Sequence, residues 1–268
     1  MTASGFRGFP VVRAVLKARF ERNFVTSRGF GCLSGAYPTF EAAAAAAPSS
    51  MAVGYDVTAA GAMYRERMNR VLLKDYPALL WLSRLMPKAH RLFDIGGHIG
   101  VMFYAYRRYL NFREDLEWTV CDVPAVVKGG EAMARERGES NLFFTTRLDD
   151  VEGSDVVLAT GSLQYIERSI GDLLGSLATR PQHVLINETP THAAREIITL
   201  QNIGVSICPY RIVRHGSILT ALTTLGYELV DSWEDPVRRT GIPFVTGGDE
   251  IAYSGFYFRR IQPRRDAG

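Results

Sequence analysis

Cysteine is scarce in this 268-residue chain: Cys32, Cys121 and Cys208 are odd in number, far apart, and form no C-x-x-C pair. That excludes a disulfide framework, offers no zinc or redox motif, and fits reduced thiols in a cytoplasmic location. Long apolar runs are missing as well. None approaches the roughly 18 residues of a membrane-spanning helix, and the N-terminus has no signal-peptide core followed by a small-residue cleavage site. An excess of one charge is also lacking, since the net charge is only +3. It is uneven: within residues 1–28, Arg7, Arg13, Lys17, Arg19, Arg22 and Arg28 face Glu21 alone, so that arm is +5 and the rest of the chain −2. Nucleic acid is therefore not an expected partner of the main domain. No spacing of acidic, histidine or cysteine side chains suggests metal ligation, and no metal is expected.

What is present is concentrated in Arg91 to Gly100, R-L-F-D-I-G-G-H-I-G. A short apolar run ends in an acid and three glycines follow, which predicts a buried strand, a tight turn and a helix over Val101 to Leu110. Glycine suits a backbone that must turn sharply and let a ligand come close. A dinucleotide fingerprint from Gly96 would need glycines where His98 and Val101 stand, and no Gly-Lys-Ser/Thr follows to make a phosphate loop. Asp122 comes 28 positions after Asp94, at the end of the next predicted strand, Trp118 to Cys121. There it can cap a helix begun by Pro124, accept the two hydroxyls of a ribose, or do both.

From Arg91 onward strands and helices alternate, predicting an α/β fold with a mostly parallel sheet covered on both faces. Further strands are expected at Leu142 to Thr145, Asp155 to Ala159, His183 to Asn187, Tyr227 to Trp233 and Gly255 to Arg259, with helices ending at Gly138 and Gly226. Two closing strands without a helix between them imply an antiparallel last strand. The chain divides into a helical extension, 1–87, and a main domain, 88–268. In the extension, Pro10 to Asn23 reads as an amphipathic helix packed on the main domain with its basic face in solvent, contact with an anionic membrane being the other reading. Met63 to Lys74 and Pro77 to Leu85 read as helices, and Glu41 with its six alanines as helix-favouring low complexity stopped by Pro48.

Asp94, Gly96 and Gly100 resemble the acid-x-Gly-x-Gly-x-Gly loop of class I S-adenosylmethionine-dependent methyltransferases, with His98 in place of the central glycine and Gly97 beside it. Val120 to Val127, V-C-D-V-P-A-V-V, resembles the F-D-L-P-x-V-I segment of small-molecule O-methyltransferases. The resemblance implies a Rossmann-like seven-stranded sheet with the last strand reversed, and S-adenosyl-L-methionine as cofactor. It assigns Asp94, Gly96, Gly97, His98 and Gly100 to the cofactor's amino-acid end and Asp122 with Val123 to its ribose. Thr146 and Arg147 fall near its adenine, and Thr160 with Gly161 complete the expected set.

After the fourth strand, the Asp/Asn-Pro-Pro-aromatic motif of base-methylating relatives is absent. Gln164 stands where the O-methyltransferases carry a general-base histidine, and glutamine can orient an acceptor but cannot take its proton. The remaining base candidates are His192, preferred for its place in a loop at a strand's carboxyl end, Tyr165, Glu188 and His215. Two long loops, Pro190 to Arg214 and Glu234 to Ser254, the latter with Arg238, Arg239 and Phe244, are expected to recognise the acceptor as lids. The segments G-S-L-Q-Y-I, T-L-Q-N-I-G and A-Y-S-G-F-Y-F resemble a bacterial methyltransferase family of unsettled substrate, some of whose members accompany surface-polysaccharide genes. These readings together imply methyl transfer, chiefly to oxygen, on a small molecule or glycan precursor. The alternative is a non-catalytic cofactor-binding or polysaccharide-assembly scaffold, and a homodimer is compatible with either.

Overall fold

The computed structural model describes residues 10–57, 59 and 63–261. The extension holds α1 (Pro10–Phe24), β1 (Leu33–Tyr37), α2 (Phe40–Ala45) and α3 (Tyr76–Leu85). The main domain follows with β2 (Arg91–Ile95), α4 (Val101–Tyr106), β3 (Glu117–Cys121), α5 (Pro124–Arg137), β4 (Leu142–Thr145), β5 (Val156–Thr160) and α6 (Ile170–Gly175). It closes with β6 (His183–His192), β7 (Ile197–Asn202), β8 (Ile207–Arg214), α7 (His215–Thr224), β9 (Tyr227–Thr240) and β10 (Ile251–Arg260).

Seven strands lie in the order β4, β3, β2, β5, β6, β10, β9, and β10 runs antiparallel to both of its neighbours while the others are parallel. This is the α/β architecture expected, with the reversed strand lying between β6 and β9. The central strands are apolar almost throughout because both faces are covered. Leu92, Trp118, Val156, Leu158 and Leu185 face one core with Leu82, Met86, Phe103 and Tyr106 from the helices. Their alternates Phe93, Ile95, Val157, Val184 and Ile186 face the other, with Leu174 and Leu222. The period of two along each strand produces that division.

A second, three-stranded antiparallel sheet is built on the end of β6. β8 pairs in parallel with only Thr191 and His192, β7 pairs with β8, and β1 from the extension pairs with β7. Pro190 to Arg214 is thus a hairpin rather than the lid loop expected. β7 is buried on nearly every residue, which erases the polar alternation that would mark a strand. Its turn is fixed by Gly204 at φ +90° and by Asn202, whose Oδ1 accepts from the Gly204 amide at 2.6 Å. The other expected lid is also mostly strand, since β9 continues to Thr240 and β10 begins at Ile251, leaving only residues 241–250 irregular.

The extension departs from its helical expectation at three places. β1 is a strand. Met63 to Lys74 forms short 3-10 turns at Arg65–Asn69 and Leu73–Asp75, because the Asp75 carboxylate accepts the Leu72 amide at 2.9 Å and pairs with Arg67 at 3.2 Å, fixing the local backbone outside an α-helix. α1 docks through Phe24, buried with Ala43, Leu200 and Ile207, through Phe20 against the Phe244 ring at 5.8 Å, and through Arg13, whose Nη2 donates to the Phe244 carbonyl at 3.3 Å, while Val11, Val15 and Leu16 stay 76%, 62% and 44% exposed. The helix thus lays only some of its apolar residues on the main domain, and it does not sort apolar and basic side chains onto opposite faces as expected. Among the described residues, no helix is long and apolar enough to cross a membrane.

Candidate functional site

A cavity of about 560 Å³ opens at the carboxyl ends of β2, β3, β5 and β6, where open α/β sheets take their ligands. Its floor is the glycine turn. Asp94, next to last in β2, is completely buried; Trp118 Nε1 donates to its Oδ2 at 3.2 Å, and its Oδ1 has no protein partner. Burial pushes the Asp94 carboxyl up to about 7 against the Trp118 hydrogen bond, with the nearby Asp122 charge adding to the rise. Gly96 has φ +66°, and a Cβ there would lie 2.3 Å from the Ser162 Cβ; one on Gly97 would lie 2.4 Å from Asp94 Oδ2. Both glycines are therefore required by packing as well as by the turn.

Asp122 fastens this turn from the neighbouring strand. Its Oδ2 accepts the His98 amide at 2.9 Å and its Oδ1 the Val123 amide at 2.8 Å. Burial raises its carboxyl to about 6, opposed by those two amides. The cap position of α5 belongs to Val123, with Pro124 following, so the helix-cap reading of Asp122 gives way to a clasp on the glycine turn. His98 sits at φ +58°, in the left-handed region that favours glycine, with Tyr64 packed edge-on at 5.0 Å.

Of the residues expected from sequence, Asp94, Gly96, Gly97, His98, Asp122, Val123, Thr146, Thr160, Gly161, Gln164 and Tyr165 all line this one cavity. Three do not. Gly100, at φ +84°, starts α4 and is needed because a Cβ would meet Leu142 at 2.9 Å. Arg147 points to solvent and pairs with Asp150 at 3.3 Å. His192 ends β6 away from the cavity, and its Nδ1 accepts the amides of Ala194 and Arg195 at 3.1 and 3.2 Å, which makes it a turn cap. His215 is likewise outside, packed on Phe256 at the start of α7.

The opposite wall comes from residues the motifs did not mark. Tyr55, Tyr64, Arg67 and Lys74 enter from the extension, and Arg238 from β9. Glu188, only 3% exposed and at φ +56°, sits in β6 between them. Its Oε2 accepts from Lys74 Nζ at 2.5 Å and from Arg238 Nη1 at 2.9 Å. Arg238 also lies over the Tyr253 ring at 3.7 Å. Arg238 belongs to the Glu234 to Ser254 stretch expected to recognise the acceptor; no local pattern announces Lys74, and only the fold brings the two together. Gln164 Nε2 donates to the Gly161 carbonyl at 2.8 Å, which fixes the amide's orientation and leaves its buried Oε1 without a protein donor. The Tyr165 hydroxyl donates to Gln201 Oε1 at 2.5 Å, and burial holds its phenol well above the ordinary range. Among the described residues, no three or more His, Cys, Asp or Glu side chains are grouped to hold a metal ion.

No protein-family model matches the sequence, and no curated protein matches it. Solved structures do. The N-terminal domain of EvdMO1 with SAH bound shares 15% identity over 71% of this chain and 83% of that one, with a TM-score of 0.50. The [4+2]-cyclase SpnF shares 18% over 70% and 82%, with a TM-score of 0.48. The 1,6-didemethyltoxoflavin-N1-methyltransferase of Burkholderia thailandensis, with its namesake ligand and S-adenosylhomocysteine bound, shares 16% over 71% and 79%, with a TM-score of 0.47. The chain has the Rossmann-like fold of class I methyltransferases.

Proposed function

We propose that this protein is an S-adenosylmethionine-dependent methyltransferase acting on a small molecule or glycan precursor, at oxygen. The observation that carries this reading is the pair Asp94 and Asp122, held across one glycine turn in a single cavity at the switch point of the sheet. The cavity's unfilled bonding capacity fits the cofactor. Asp94 Oδ1 and Thr160 Oγ1 are buried without protein partners, and each is suited to a polar group of the ligand's amino-acid portion. Asp122 has spent one lone pair on each backbone amide and keeps two for ribose hydroxyls. Thr146, Leu148 and Val123 offer the less polar wall for the base.

S-adenosylmethionine, when bound, supplies a methyl group on a sulfonium, open to in-line displacement. The chain's part is then alignment and charge. Asp94 and Asp122 face the cationic donor, and Gln164 Oε1 accepts from an O–H or N–H of the acceptor beside the reacting oxygen, fixing its approach. Tyr165 stays a neutral phenol and positions rather than deprotonates. Calorimetry with S-adenosylhomocysteine is the test: binding is expected, with Asp122→Ala lowering affinity at least tenfold while the fold is retained. Well-folded protein that binds none at millimolar ligand would refute the reading.

A further inference from the structure

The cavity is divided by charge. The carboxylates of the glycine turn, Asp94 and Asp122, occupy one side, and Arg67, Lys74 and Arg238 line the other. On the basic side Glu188 is the lining carboxylate, and it answers two cations with one oxygen. Lys74 has three N–H donors and Arg238 five, so a single contact each to Glu188 leaves most of their donor capacity for a ligand. The two groups are nevertheless held in place: Glu188 ties their tips, Tyr253 backs the Arg238 plane, and the Lys74 carbonyl accepts from Asn187 Nδ2 at 3.2 Å. Glu188 keeps this post in a left-handed backbone conformation that a glutamate rarely adopts, a strain that clusters at ligand sites.

The base candidates named by sequence point the same way. His192 and His215 lie outside the cavity, Tyr165 stays protonated, and Glu188 is engaged as counter-ion. A hydroxyl acceptor has to lose a proton during transfer, whereas an oxyanion has none to lose.

Resting on the methyltransferase reading above, we infer that the acceptor carries an oxyanion group, a carboxylate or phosphate, seated against Lys74 and Arg238. Glu188 then acts as a positioning residue that presents both cations to it.

The test uses the full chain and a small-metabolite extract split on an anion-exchange resin. Label transfer from methyl-labelled S-adenosylmethionine is expected with the retained, anionic fraction and not with the flow-through. Within the retained fraction, carboxylate and phosphate acceptors are told apart by phosphatase treatment, which abolishes the signal only for a phosphate. Lys74→Gln with Arg238→Gln should cut transfer at least tenfold while S-adenosylhomocysteine affinity, read by calorimetry on the same protein, stays within about twofold. Methylation confined to the flow-through, or a double variant as active as the parent, would overturn the inference and leave the methyltransferase reading intact. Cofactor binding with transfer to neither fraction would overturn it in favour of a non-catalytic binder. Absent cofactor binding would remove the underlying reading and this inference with it.

Discussion

Replacing Asp94 by asparagine should stabilise the fold at alkaline pH while impairing the site. The side chain is fully buried with one oxygen unpartnered, and its carboxyl is raised from the ordinary 3.8 to about 7. Between those values the unfolded chain has released the proton that the folded chain still holds, so this group's contribution to stability falls as pH rises, and levels off above about 7. At roughly 1.4 kcal/mol per pH unit, the burden grows by about 3 kcal/mol between pH 5 and pH 8. Asparagine is nearly isosteric and its amide oxygen can keep the Trp118 bond. Its unpartnered NH2 costs about 1–3 kcal/mol at every pH, and Asp122 titrates in both proteins, so both effects cancel when pH values are compared. Urea denaturation of parent and variant at pH 5 and pH 8 is the assay. The variant's stability relative to the parent should rise by about 3 kcal/mol between the two. A difference that stays flat would show that Asp94 does not titrate in this window and that burial does not govern it.

Gln164→Ala should slow methyl transfer about tenfold with S-adenosylhomocysteine affinity nearly unchanged, since the amide offers its free oxygen to the acceptor and not to the donor. A rate equal to the parent's would place Gln164 outside the acceptor site.

The half of the cavity built on the glycine turn is legible in the sequence because its signals are local. An apolar strand, an acid and glycines within ten positions leave little choice of backbone, and Asp122 repeats the pattern one strand later. The mostly parallel sheet followed from the alternation of elements, and the reversed last strand from the missing helix before β10; its place between β6 and β9 did not. The basic half is different in kind. Lys74, Glu188 and Arg238 come from three distant segments, and only the pairing of β6 with β10, and of β10 with β9, sets Arg238 beside Glu188. β7 went unread because burial on both faces removes alternation, and β1 because a five-residue strand containing Gly35 gains its identity from its partner. His192 had the right type and the right end of a strand, yet local amides claim its ring nitrogen. For Tyr55, Tyr64 and Arg67, nothing short of the tertiary fold marks a cavity wall.

β1 has a consequence for how the molecule comes together. Thr199 donates to the Ser34 carbonyl across 165 positions, so the extension leaves synthesis long before the strand it pairs with. The segment carrying Tyr55, Tyr64, Arg67 and Lys74 is anchored on one side by that pairing and on the other by α3, whose Trp81 donates to Asp231 in β9 at 2.8 Å. Both anchors need late-made chain. A growing polypeptide thus possesses the glycine turn and its two acids early, and gains the basic wall only when the closing strands have docked. The acidic half of the cavity is therefore made before the basic half, and the second arrives with the final, most non-local contacts of folding.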